Sequence, residues 1–208
     1  FNGTTPSAAS THGSGFYGTG TVALGTYAAA QPVFQGSTVS VSGASITTIA
    51  RATEVPSQNV AVNVPGQVLG GFVMDLKGEA VTVQTITMTA ATTSGMLNGV
   101  LTNVTLVDDA GVVVAGPVDA TWVSGVMTIT LNNSVTFKSG RHVYTVKGTI
   151  PAGSTNGSSI VISTTPSNWT SVTGQQTGNT VSLSGNGVFT MNTMTVRGAT
   201  LNITAAAA

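Results

Sequence analysis

The chain has 208 residues, with 6 Lys+Arg balanced by 6 Asp+Glu and charged residues at only 6%, against roughly 25% in an ordinary globular protein. It therefore lacks the basic field that holds nucleic acid, and with no cysteine it has neither disulfides nor thiolate metal sites. Hydrophobic residues at 41% suffice for a core, and a surface so short of charge stays soluble through hydroxyls, amides, attached sugars or cover by neighbouring subunits.

Residues 1–35 read as an extended arm. "FNGTTPSAASTHGSG" is loop-like, and the G-x-G-x-x-G match at Gly13–Gly18 lacks the flanking strand, helix and later acidic residue of a dinucleotide site. "FYGTGTVALGTY" follows, with Phe16, Gly18, Gly20, Val22 and Leu24 on one parity. Small residues at one end and apolar ones at the other suit a donor strand entering a groove of another subunit. Phe1 in place of Met reads as the product of leader removal. No stretch approaches the ~18 consecutive apolar residues of a membrane helix, so no membrane span is expected.

Residues 36–204 read as one β-sandwich module and 205–208 as a tail. Alternation dominates and helical periodicity is missing. Val60, Val62 and Val64 share one face, as do Met127, Ile129 and Leu131, and then Tyr144, Val146 and Ile150. In "AVTVQTITMTA" the inward set changes parity, from Val81 and Val83 to Ile86 and Met88, which places a β-bulge near Gln84–Thr85. Asp108–Gly111 reads as a hairpin turn, and 151–159 and 184–187 as further turns. Roughly ten strands between Ser37 and Thr204 are enough for two sheets.

A strand is written twice. "STVSVSGASITTI" aligns without gaps on "NTMTVRGATLNIT", with Thr38 on Thr193, Val41 on Val196, Gly43 on Gly198, Ala44 on Ala199 and Ile46 on Leu201. The separation is one domain's length, so the chain reads as one module plus the opening strand of the next. The C-terminal copy, 193–203, is either a rival donor or the strand that closes its own sandwich.

Catalytic residues are scarce. His12 and His142 are the only candidate general bases, and no Gly-x-Ser-x-Gly elbow exists. Asp75 with Glu79, and Asp108 with Asp109, are paired carboxylates of the kind used in acid–base work or Ca²⁺ binding; turn formation and edge protection account for them better. Lys138, Arg141 and Lys147 read as edge-strand charges that discourage unwanted pairing. Trp122, Trp169, Tyr17, Tyr27 and Tyr144 are too scattered for a sugar-binding platform and read as core or single surface contacts. The expectation is no enzyme, no cofactor and no metal. Asn2, Asn103, Asn132, Asn156, Asn168 and Asn202 begin Asn-x-Ser/Thr sequons and are candidate glycosylation sites.

Gly78–Val81 ("GEAV"), the Asp–Gly hairpin 108–111 and Tyr144–Gly148 ("YTVKG") together resemble the immunoglobulin-like β-sandwich modules of exported bacterial surface and surface-layer-type proteins. The resemblance covers about residues 36–204. It implies an all-β, immunoglobulin-like two-sheet sandwich with an extended N-terminal arm. The expected function is a structural subunit of an extracellular, cell-surface, pilus-like filament, polymerising head to tail with copies of itself by strand donation. The alternatives are a surface-layer lattice subunit, a viral capsid or tail protein, and a secreted carbohydrate-binding module.

Overall fold

Thr and Val crowd a helix but pack well on a pleated surface, and the alternation they create becomes strand nearly everywhere. The computed structural model describes residues 43–93 and 99–198. Among these there is no α-helix, and a single 3-10 turn spans Pro166–Asn168. The expected all-β, two-sheet architecture is present, as two open sheets packed on each other.

The first sheet is antiparallel and has five strands. In spatial order they are β1 (Ser45–Arg51), β3 (Gln67–Lys77), β10 (Gly140–Thr149), β5 (Thr102–Val107) and β6 (Val113–Val118). The second has nine. Its main path runs β2 (Asn59–Val60), β14 (Met194–Val196), β11 (Ser159–Thr164), β4 (Val81–Thr92), β8 (Val126–Leu131) and β7 (Thr121–Val123). β9 (Val135–Phe137) and β12 (Thr170–Gly174) flank the first half of β4, and β13 (Phe189–Thr190) pairs with β11. Only β14 with β2 is parallel among these pairs.

An aromatic cluster locks the sheets together. Phe72 (β3) and Tyr144 (β10) come from the first sheet; Phe137 (β9), Trp169 and Phe189 (β13) come from the second. Phe137 lies edge-on to Tyr144 at 4.8 Å and stacks on Trp169 at 5.8 Å between centroids. Phe72 touches all four other rings within 6.2 Å. The Trp169 indole N–H donates to Thr164 Oγ1, whose hydroxyl in turn donates to the Thr87 carbonyl, so the buried polar atoms are satisfied.

β4 shows the expected parity change. Val81, Val83, Ile86 and Met88 are all buried while Gln84 is exposed. The irregularity also involves the neighbour. Val83 pairs with Val135 and Ile86 with Leu131, so two β4 residues face three on the other side, Asn132 to Ser134. On the opposite flank the partner changes from β12 to β11 over the same stretch.

Met127, Ile129, Leu131, Tyr144, Val146 and Ile150 are buried as expected. Val64 is not. Val60 is buried and Val62 half-buried, but Val64 is 42% exposed, because pairing has ended and the chain turns through Asn63 (φ 55) and Gly66 (φ 71). Arg141 and Lys147 also depart from expectation. They lie on β10, the middle strand of the five, so they protect no edge. They occupy alternate positions facing away from the core, where a central strand of an open sheet still meets water.

Candidate assembly surface

The donor-strand residues Phe16, Gly18, Gly20, Val22 and Leu24 lie outside the described residues, as do His12, Asn2, Asn202, the glycine-rich match at 13–18 and residues 37–42 of the first copy of the repeated strand, whose remainder runs into β1. Of the second copy, Met194–Val196 forms β14. It is already hydrogen-bonded within its own chain, to β11 on one side and β2 on the other. This described part is therefore not a spare strand.

Charge is sorted between the sheets. Arg51, Asp75, Lys77, Arg141 and Lys147 sit on strands of the five-stranded sheet, whereas no strand of the nine-stranded sheet carries a charged residue. Hydroxyls stand on the outer face instead. Paired positions run Thr121, Thr128, Thr89, Ser163 and Thr190 across five neighbouring strands. A second rank runs Thr136, Thr82, Thr173 and Thr180. Successive members stand about 4.8 Å apart along the sheet, and Ser163 and Thr190 join their hydroxyls at 3.1 Å.

Among the described residues the strand orders end at β1 and β6 in one sheet and at β2 and β7 on the main path of the other. β6 packs over β8 and β9, whereas β1 and β3 lie over β11, β13 and β14, so β6 and β7 border the same side of the sandwich. That side is apolar. Val112, Val113, Trp122, Val123 and Val126 are each 46–58% exposed. Trp122 pairs with Met127, which is fully buried, so the indole has core-facing parity yet remains 54% exposed. It also forms one wall of a shallow cavity of about 350 Å³ with Thr89–Thr92 and Gly125–Met127.

Asp108 and Glu79 each hold a loop in place. Asp108 Oδ1 accepts from the backbone N–H of Ala110 and Val112, closing the expected hairpin, and Oδ2 meets Lys138 Nζ at 2.7 Å. The Lys138 ammonium and those N–H groups hold the Asp108 carboxyl below its ordinary range, and Asp108 raises Lys138 in return. Glu79 is 4% exposed and staples a loop nearly a hundred residues away. It accepts from the Thr177 hydroxyl and from the backbone N–H of Gln176 and Thr177. The Thr177 hydroxyl foremost keeps its carboxyl low. Arg141 pairs with Glu54. His142 Nδ1 lies 2.7 Å from Asp109 Oδ2, and its Nε2 lies 3.1 Å from the Ser139 carbonyl. Asp75 stays half-buried on β3 and apart from Glu79's loop.

Among the described sequons, Asn103, Asn132, Asn156 and Asn168 are all exposed. Asn156 Oδ1 accepts from the Gly198 N–H. Trp169 belongs to the core and Trp122 to the surface. Sequence reasoning left Trp122 as core or a single surface contact; the structure exposes it although it shares inward parity with the buried Met127. No protein-family model matches the chain, and no curated protein matches it.

Proposed function

We propose that the protein is a structural subunit of an extracellular pilus-like filament, adding head to tail through β-strand donation, on an immunoglobulin-like sandwich. The observation that supports this reading most is an uncharged arm on a chain whose nine-stranded sheet ends in β2 and β7, edge strands with neither charge nor proline. No Asp, Glu, Lys or Arg precedes Arg51, and the whole nine-stranded sheet lacks them on its strands. Bare edges without charge or proline are templates for further pairing, and a strand donated from another copy satisfies them with main-chain hydrogen bonds. A contact between unlike surfaces propagates as an open filament.

Deleting residues 1–27 is the test. Filaments seen by negative-stain microscopy should vanish while a soluble monomer remains, and Val22→Asp with Leu24→Asp should do the same through buried charge. An armless protein that still assembles normally would sink the proposal, and flat lattices in the native material would favour a surface-layer subunit. The exposed Asn103, Asn132, Asn156 and Asn168 are proposed glycan sites, checked by an intact mass exceeding 20.7 kDa by whole sugar units.

A further inference from the structure

We infer that the free edge of β7 is the acceptor: residues 16–24 of a second copy add there as a further strand of the nine-stranded sheet and cover Trp122. This inference rests on the strand-donation reading and names where donation occurs. Trp122 carries the argument. Its cross-strand partner Met127 and the next inward residue, Ile129, are fully buried, so the core runs out at β7 with an indole left uncovered. Exposed apolar area gathers at the same place. Five of the seven large apolar side chains exposed among the described residues fall within 112–126, with Val112 and Val113 at the start of β6, Trp122 and Val123 on β7, and Val126 opening β8. Concentrated patches of this kind mark interaction sites.

The occupant follows from charge and parity. Residues 120–137 contain no charged residue, and neither do the first 50; Asp119 nearby is engaged by the Asn103 N–H. The opposite border instead carries Arg51 and Glu54 beside β1. An added strand sends alternate side chains to one face, so the shared parity of Val22 and Leu24 brings both over the indole. The arm leads into β1, whose sheet edge is the one opposite β6. The intervening residues 25–44 span at most ~70 Å when extended, a reach that includes both a neighbour and the chain's own β7.

Cysteine pairing decides between these, because the chain has no native cysteine. Thr19→Cys, Thr21→Cys and Ala23→Cys proteins, whose parity puts them on the outer face with Val123 when Val22 and Leu24 cover the indole, would each be mixed before assembly with a Val123→Cys protein and then oxidised. Val113→Cys, Ser45→Cys and the exposed Val188→Cys serve as comparison sites. The expected result is disulfide-linked dimers with Val123→Cys and none with Val188→Cys. Trp122→Arg should lose assembly while keeping the parent's unfolding midpoint. Links to Val113→Cys or Ser45→Cys instead would preserve strand donation but overturn β7 as its site. A double variant that closes only within one chain would show the arm occupying its own edge, which also overturns the inference. Absence of every link, with no filaments formed, would remove the strand-donation reading itself.

Discussion

Phe137→Ala removes the ring that joins the two sheets, and the structure sets its cost. The side chain is fully buried and makes three ring contacts, edge-on to Tyr144 and Phe72 and stacked on Trp169. Returning such a side chain to water loses about 2 kcal/mol of transfer free energy. A residual cavity on the order of 80 Å³, at about 24 cal/mol per Å³, adds about 2 kcal/mol. The expected loss is therefore about 4 kcal/mol, with Phe137→Leu losing about 1–2 kcal/mol because it refills part of the space. Urea unfolding of the monomer reads this directly. With a slope near 2 kcal/mol/M, the Ala variant's midpoint falls by about 2 M. Trp169 is 5% exposed and Trp122 54%, so a Trp122→Phe background isolates the core signal. A midpoint shift under about 0.5 M for Phe137→Ala would refute the cluster as the bridge between sheets.

Ile86→Asp should cost about 4 kcal/mol or more by burying an unpaired charge, whereas exposed Gln84→Asp should stay within about 0.5 kcal/mol; equal effects in urea unfolding would mean that the β4 register is wrong. Gly116 has φ +88 and a Cβ there presses on the Val104 carbonyl, so Gly116→Ala should cost more than Gly111→Ala, which has φ +82 but open space and about 1–2 kcal/mol of backbone strain. Glu79 and Asp108 have folded-state pKa values below their ordinary 4.5 and 3.8. Their stabilisation is complete above those ordinary values and is lost as pH falls through the lower folded-state ones. Thermal midpoints should therefore decline on acidification below about pH 4, and Glu79→Gln should flatten that decline; an unchanged slope would contradict the loop-staple role.

Local pattern made much of the fold readable. Thr–apolar alternation gave the inward sets of β8 and β10, and the jump from Val83 to Ile86 announced the irregularity of β4. Asp108 with Gly111 announced the hairpin, since an Asp that can accept from two backbone N–H groups and a Gly at φ +82 suit that turn. What stayed hidden was long-range. Alternation says that Lys147 faces away from its neighbours but not that β10 is central. Glu79 reads as a turn residue because its partners, Gln176 and Thr177, lie on the far side of the chain. No local pattern marks Asn192, whose amide donates to the carbonyls of Ala52 and Val55 and pins the crossing from β1 toward β2. The candidate surface was half legible: the arm's parity was in the sequence, whereas the open side at β6 and β7 depends on the order in which strands assemble.

The charge-free strands of the nine-stranded sheet also bear on the conditions in which the protein can work. A face bearing hydroxyls and methyls has no proton to gain or lose between strong acid and mild alkali, and no ion pair for salt to screen. Contacts made through it are held by shape, dispersion and neutral hydrogen bonds. They should keep nearly the same strength in fresh water, brine or acid for as long as the sandwich beneath stays folded.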